Sequence, residues 1–208
     1  MATRKKERIN KSAEDWKEAA LEAFASGGIH AASIPEIARR LGVTKGSFYW
    51  HFRNLDEFLK ASLQHWEVAD REAMEALRSI SDARERLIAL FEDSMQRRQG
   101  QALFISLSGS AVTEVSASIR RISERRVQFL LEAFRELGVG PQEARDRALL
   151  AYTAYVGVLN LRKEIFPWLQ TRADLKRYVD HAVEVLLPSI RRSGGRRRAE
   201  VHFVAPGR

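Results

Sequence analysis

The chain has 208 residues, a formal net charge of +8 and no cysteine. Without cysteine it has neither disulfides nor thiolate metal sites, and no apolar run approaches the ~20 residues that cross a bilayer. The basic segment MATRKKERINK precedes no apolar stretch, so we expect no secretory signal, no membrane partner and a cytoplasmic protein.

The charge is unevenly distributed along the chain. Residues 1–66 carry a net charge of +3, residues 67–190 are neutral and residues 191–208 carry +5. Basic ends favour a polyanionic partner such as nucleic acid, although a basic terminus is often only a solvated tail. Charge alone therefore does not separate these two interpretations.

The first 55 residues contain four helix starts, each with a polar N-cap residue. The predicted caps are Ser12, Ser33, Thr44 and Asn54, each followed three residues later by Asp15, Glu36, Ser47 or Glu57. Pairs of this kind satisfy backbone N–H groups that a helix start leaves free. Gly27-Gly28 and Gly42 end the first two helices.

Longer helices follow from Leu55 onward, and no segment alternates as a strand would, so the predicted fold is all-α. The predicted ranges are 55–78, 82–98, 101–110, 112–137, 141–166 and 172–191. Gly100, the LGVGP stretch at 137–141 and Pro167 are the predicted breaks. The glycine-rich basic tail 193–208 has no helical period and is predicted to be disordered.

The stretch LGVTKGSFYWHF, residues 41–52, mixes small polar residues with four aromatic rings. A helix ending at Leu41, a turn at Gly42-Val43 and a short helix from Thr44 form a helix-turn-helix, whose second helix enters the DNA major groove. Phe48 and Phe52 should face inward, whereas Tyr49, Trp50 and His51 should lie on the exposed side. An ordinary helical hairpin with a purely structural set of aromatics is the alternative.

The segment IPEIARRLGVTKGSFYWHFRNLDEFL resembles the DNA-binding segment of the TetR/AcrR family of bacterial transcriptional regulators, and the match runs over about residues 12–60. The resemblance implies a homodimer with a helix-turn-helix head at 12–54 and a ligand-binding and dimerisation body at 55–192. It implies repression of a palindromic or near-palindromic operator, relieved by a small effector. It does not extend by motif beyond residue 66, so it names no effector.

By this resemblance, the DNA-contacting residues are Ser33, Thr44, Lys45, Gly46, Ser47, Tyr49, Trp50, His51 and Lys60. Lys45, the small polar residues and Tyr49 suit phosphate oxygens, and Trp50 suits the methyl group of thymine. His51 has an alternative role as a packing residue. The arm 1–11, with Arg4, Lys5, Lys6 and Arg8, either follows the phosphates, enters a minor groove or is a solvated flexible tail.

The neutral body should hold the dimer interface and the effector pocket. Small and apolar residues on the last two helices predict an interface of Ala151, Ala154, Gly157, Val158, Leu175, Val179, Ala182, Leu186 and Ile190. The predicted pocket residues are Trp66, Met74, Phe91, Met95, Phe104, Tyr152, Tyr155 and Asn160, which favour a hydrophobic or aromatic effector. Both sets could instead belong to the monomer core, and Asn160 could bond only to a backbone carbonyl.

Two other functions compete with this interpretation. An all-helical di-iron enzyme would need inward Glu-x-x-His pairs, which the sequence lacks, and SLSGS at 106–110 lacks the spacing and preceding strand of a nucleophile elbow. We therefore expect no enzyme activity, no metal and no cofactor. The second rival is a DNA-binding protein without an effector, acting as a constitutive repressor or in an architectural role.

Overall fold

A computed structural model describes residues 11–96, 98–161 and 165–187. Those residues contain helices and no strand, which confirms the all-α prediction. The helices are α1 Ala13–Gly27, α2 Ile34–Leu41, α3 Lys45–Phe48, α4 Leu55–Arg78, α5 Ala83–Gln96, α6 Arg98–Leu107, α7 Thr113–Glu136, α8 Pro141–Leu161 and α9 Arg172–Leu186, with one 3₁₀ turn at Ile29–Ala31. No helix in these ranges is long and apolar enough to span a membrane.

A side-chain cap bond is present at three of the four helix starts predicted in the first 55 residues. Ser12 Oγ accepts from the Asp15 N–H at 3.2 Å, and the Asp15 carboxylate accepts from the Ser12 N–H at 2.8 Å, which completes a capping box. Asn54 Oδ1 accepts from the Glu57 N–H at 2.9 Å. Ser33 caps α2 in the same way, over 3.4 Å.

Thr44 differs from this prediction, because it precedes α3 without a side-chain cap bond. The four-residue helix is closed by backbone bonds alone, such as the Ser47 N–H to the Thr44 carbonyl at 3.0 Å.

The helix boundaries in the body differ from the predicted ones at Gly100 and at two helix ends. Gly100 lies inside α6, so the predicted break there was wrong. A single glycine costs a helix about 1 kcal/mol, which the surrounding turns of α6 tolerate. α6 ends at Leu107, before the predicted end at residue 110, and Gly109 follows with a left-handed φ of 79°. α8 is described as far as Leu161, and Ile165 lies in a turn.

Two hydrophobic cores hold the helices together. The first contains side chains from α1, α2, α3 and the start of α4, together with α6, the start of α7 and the end of α8. The second joins the far part of α4 with α5, α7, α8 and α9. Because the first core contains residues of both predicted domains, the division near residue 54 stays a prediction.

Helix α6 is the main bridge between the helix-turn-helix region and the rest of the chain, since it packs along α1. At their contact, Gly28 has a φ of 70° and approaches Ser106, whose carbonyl oxygen would lie 3.7 Å from a Cβ built on that glycine. The position of α1 is therefore set by α6 as well as by α4.

Candidate DNA-binding surface and ligand cavity

The turn between α2 and α3 is built on a left-handed glycine. Gly42 has a φ of 70° and ψ of 27°, and its N–H caps α2 by donating to the Ala38 and Arg39 carbonyls. The Val43 N–H then donates to the Ala38 carbonyl at 3.0 Å. This closure sets the direction in which α3 leaves α2.

An aromatic cluster holds α3 from below. Phe48 is fully buried, and its ring centroid lies 5.4 Å from that of Trp16 on α1 and 5.3 Å from that of Phe58 on α4. Phe52 lies 4.8 Å from Phe58. The inward direction predicted for Phe48 and Phe52 is confirmed, and the cluster joins the short helix to both neighbouring long ones.

The opposite side of α3 is open to solvent. Tyr49 is 64% exposed and Trp50 is 87% exposed. Thr44, Lys45 and Gly46 are also exposed, and Ser47 is half-buried. Within the described part of the chain, Lys45 has no carboxylate partner within 4.0 Å. The segment thus presents a cation, hydroxyl groups and two aromatic rings on one side of a fixed helix.

Two other predicted DNA contacts lie at the edges of this segment. The Ser33 hydroxyl oxygen accepts from the Glu36 N–H, so its own hydrogen remains available to a phosphate oxygen. Lys60 Nζ lies 3.5 Å from Glu114, in a largely exposed pair of the kind that contributes little to stability. Neither contact prevents a phosphate bond.

His51 is half-buried, although an exposed position was predicted for it. Its Nε2 lies 2.8 Å from the Lys11 carbonyl oxygen, and since a carbonyl only accepts, Nε2 carries the proton. The His51 ring therefore links Lys11, the residue before the α1 cap, to the end of the segment 44–50, called the recognition segment below. That His51 contacts DNA stays a prediction, and so do the DNA contacts of the other residues in the predicted set.

A cavity of about 50 Å³ lies inside the body, between α5, α7, α8 and α9. Of the eight predicted pocket residues, four line it: Phe91, Met95, Tyr152 and Tyr155. Sequence reasoning missed Arg126 and Tyr178, which complete the polar part of the wall. A neighbouring groove of about 450 Å³ between α5 and α9 shares Met95 and Val179 with the cavity.

The other four predicted pocket residues lie elsewhere. Trp66 and Phe104 are buried in the first core, and Met74 is buried in the second. Asn160 is exposed, and its Nδ2 donates to the Val156 carbonyl of its own helix at 2.8 Å. None of the four lines the cavity, because their apolar or amide groups are already packed or bonded within the fold.

Ionic contacts tie α4 to α7 beside the cavity. Asp70, with a side chain only 2% exposed, lies 2.5 Å from Arg125 Nη1 and 2.8 Å from Arg126 Nη2. One turn earlier, Glu67 accepts from Arg121 at 2.7 Å and from the Ser118 hydroxyl at 2.6 Å. The Arg121 hydrogen bonds hold the pKa of Glu67 below its ordinary value, despite its burial.

The predicted interface set divides by face. Ala151, Val158, Val179 and Leu186 are buried within the monomer, and their place in an interface stays a prediction. Ala154 and Ala182 line the cavity, Gly157 and Leu175 are half-buried, and Ile190 lies outside the described residues. The arm 1–10 and the tail 193–208 are outside them as well.

The apolar side chains that do face outward on these helices were missed. Leu149, Leu150 and Leu161 on α8 are between 41% and 57% exposed, and Val185 on α9 is 59% exposed. The spacing of Leu150, Gly157 and Leu161 along α8 was the available signal, since it forms a second stripe beside the inward alanines.

Within the described ranges, no group of three His, Asp or Glu residues could hold a metal ion.

Some of the matches to known proteins cover only a short part of the chain. A family model described as bacterial regulatory proteins, tetR family, matches residues 18–61. The HTH-type transcriptional regulator SrpR of Pseudomonas putida is 48% identical over 46 residues, which are 22% of each chain. The chain thus matches about a fifth of that relative's length.

Other matches extend over most of the chain. The HTH-type transcriptional regulator TtgR of Pseudomonas putida is 25% identical over 89% of this chain and 96% of its own. The crystal structure of FadR from Bacillus subtilis in complex with stearoyl-CoA has a TM-score of 0.64 and 18% identity, covering 86% of this chain and 100% of its own. At that identity the structural match shows a common fold.

Proposed function

The chain belongs to the TetR/AcrR family of bacterial regulatory proteins, and from this premise we propose that it is a homodimeric DNA-binding repressor released by a small effector. The observation that carries the DNA-binding part is the exposed segment 44–50, mounted on an aromatic cluster that includes Phe48, Phe52 and Phe58. Two exposed aromatic rings beside a lysine and several hydroxyl groups match the phosphates and base edges of a duplex. A groove of duplex DNA is therefore the proposed partner.

The proposed DNA contacts are of two kinds, those that position the protein on the phosphates and those that read the base edges. Lys45, Tyr49 and the hydroxyl groups of Ser33, Thr44 and Ser47 take phosphate oxygens, and Gly46 lets the backbone approach. Lys60 extends this phosphate contact from α4. Trp50 projects furthest and reads the apolar edge of a thymine. His51 supports the segment through its bond to Lys11 and contacts DNA only at its margin.

The proposed dimer pairs the outward faces of α8 and α9. Leu149, Leu150, Leu161 and Val185 lie there, and burying them against a second copy removes apolar surface from water. Gly157, from the sequence-predicted set, lies in the same stripe and allows close approach of the two helices. The two recognition segments would then face two halves of one operator.

The proposed effector site is the cavity among α5, α7, α8 and α9. A volume of about 50 Å³ holds only a few water molecules, so a larger ligand must displace a wall residue. Met95, which separates the cavity from the neighbouring groove, is unbranched and adaptable enough to move. The FadR structure in complex with stearoyl-CoA supports the proposal that a protein of this fold can bind a small ligand.

Helix α4 supports a route from this site to DNA. It begins at Leu55, next to the recognition segment, and Asp70 bonds Arg126 of the cavity wall about 22 Å further along. A ligand that favours a different arrangement of α4 and α7 thereby changes the separation of the two heads and weakens operator binding.

The small volume of the cavity also favours a second candidate, a repressor without an effector. A thermal-shift screen against small apolar and aromatic compounds separates the two candidates. DNase footprinting of DNA upstream of the gene tests the DNA-binding part they share. Stabilisation by a compound that also releases operator DNA supports the effector, whereas full occupancy of the operator with every compound supports the second candidate.

A further inference from the structure

The cavity wall is apolar apart from one cation. Of the lining residues in the described part of the chain, Arg126 alone carries a charge, and the others are aliphatic, aromatic or hydroxyl-bearing. An arginine in such a wall differs from the surface arginines around it, because a ligand that fills the cavity must also cover part of its guanidinium group.

The guanidinium group of Arg126 is only partly satisfied. Its Nε and Nη2 atoms lie 2.9 Å and 2.8 Å from the same Asp70 oxygen, Oδ1. Among the described residues its Nη1 has a single long contact, 3.4 Å to the Tyr155 hydroxyl, and the Arg126 Cζ atom lies 5.9 Å from the centroid of the Tyr155 ring. The edge formed by Nη1 therefore has donor capacity left on the side of Tyr155, a cavity residue.

The negative charge of Asp70 is not reserved for Arg126. Its other oxygen, Oδ2, accepts from Arg125 Nη1 at 2.5 Å, so one buried carboxylate is shared between two guanidinium groups. One positive charge is left over at this contact. The nearest further carboxylate on α4, Glu67, is bonded to Arg121 and Ser118, and the Tyr152 hydroxyl donates to Ser123 at 2.7 Å.

The leftover charge distinguishes between classes of ligand. A wholly apolar ligand would cover Nη1 and give no hydrogen bond in return, which carries a desolvation penalty. A carboxylate would accept from Nη1, balance the surplus charge and leave its apolar body among Leu130, Phe91 and Tyr178.

We propose that the effector is an amphipathic organic anion, an aromatic or aliphatic body with one carboxylate that binds the Nη1 edge of Arg126. The inference rests on the proposed effector site and names its ligand class. Met95, in the cavity wall, moves aside to make room for the body of the ligand. By drawing Arg126 toward the ligand, the carboxylate loosens the Asp70 bond that ties α7 to α4.

Matched pairs of probes test the charge requirement. The probes are 2-naphthoate, 4-phenylbutanoate and decanoate, each beside its primary amide, titrated calorimetrically at neutral pH into the full chain. A charge-assisted bond should make the acids bind at least about 10-fold tighter than the amides. Equal affinities for acid and amide in the wild type overturn the inference, and this comparison needs no variant to fold.

Arg126→Gln should bring the ratio of acid to amide affinity close to one. Arg125→Gln is the matched control, because it also removes a guanidinium group from Asp70 but leaves the cavity wall intact, so the ratio should persist. A ratio that persists in Arg126→Gln, or that is lost equally in Arg125→Gln, overturns the inference.

A cavity-filling variant, Ala182→Phe, separates this inference from the proposed function. If acids and amides bind equally and Ala182→Phe blocks both, the cavity is a ligand site without a preference for anions. If Ala182→Phe leaves binding unchanged, the probes bind elsewhere and the proposed site fails together with the inference. If no acid binds at all, the inference is overturned. If none of the amides binds either, the cavity fails as a ligand site as well.

Discussion

At the scale of single residues, the recognition segment shows which directions the sequence could predict. The four-residue spacing of Phe48 and Phe52 predicted two buried rings, and both are buried. The same spacing placed Tyr49 and Trp50 outside, where they lie. The bond from His51 to Lys11 could not be predicted, because the two residues are forty positions apart in sequence. Local periodicity carries no information about such a contact.

Lys45 supplies the first prediction. Lys45→Ala should weaken binding to every DNA sequence and reduce the magnitude of the salt slope, d log K/d log [salt], by about 1, because one fewer counterion is released. Fluorescence anisotropy at several salt concentrations measures both quantities. Lys17→Ala is the control, since this lysine is paired with Glu14 on α1 and should leave the slope unchanged. Unchanged affinity and slope in Lys45→Ala would place the docking surface elsewhere.

Glu67 supplies a prediction about acid stability. Hydrogen bonds from Arg121 lower the pKa of Glu67 from its ordinary value of 4.5, so the folded chain holds this proton less readily than the unfolded chain does. The contact therefore stabilises the fold fully above about pH 4.5, and the stabilisation is lost as the pH falls through the lowered pKa.

The melting temperature of Glu67→Gln should thus fall less steeply than that of the wild type below about pH 4.5, as followed by circular dichroism. Glu72→Gln, an exposed position on the same helix, should keep the wild-type slope. Parallel curves for Glu67→Gln and the wild type would contradict the prediction.

At the scale of helices, the sequence predicted that the helices exist better than it predicted where they end and which residues on other helices they bond to. Capping residues placed the starts of α1, α2 and α4, because the bond from Asn54 to Glu57, for example, is local. The break at Gly100 was wrong because a low intrinsic propensity does not end a helix. The bonds of Asp70 to Arg125 and Arg126 join residues more than fifty positions apart, so the charged cavity wall could not be predicted.

Helix α6 supplies a prediction that reverses an expectation from the sequence. Phe104 was predicted to line the pocket, yet it is buried in the core shared with α1. Phe104→Ala should therefore lower the free energy of unfolding by about 3–5 kcal/mol and reduce operator affinity as α1 loosens. Phe91→Ala, on the half-buried cavity wall, should cost less and spare operator affinity. Urea denaturation and anisotropy measure the two effects, and equal losses in both variants would contradict this assignment.

At the scale of the whole molecule, the account depends on pairing two chains through α8 and α9. Gly157 is a sharp probe, because a Cβ there would meet nothing within 4 Å in the monomer. Gly157→Glu combined with Leu150→Glu should leave the monomer folded and shift sedimentation from dimer to monomer. Val68→Glu, at an exposed apolar position on α4, is the control that should stay dimeric. A double variant that remains fully dimeric would move the interface to another surface.

The central claim is that the segment 44–50 of a two-fold dimer reads a specific duplex, and selection from a pool of random duplexes tests it most directly. The wild type should enrich a palindromic or near-palindromic motif with half-sites at least one helical turn, ~34–36 Å, apart. A triple variant, Lys45→Ala with Tyr49→Phe and Trp50→Ala, should enrich none while keeping its fold, since all three side chains are exposed. Failure of the wild type to enrich any motif, or recovery of the same motif by the triple variant, would contradict the account.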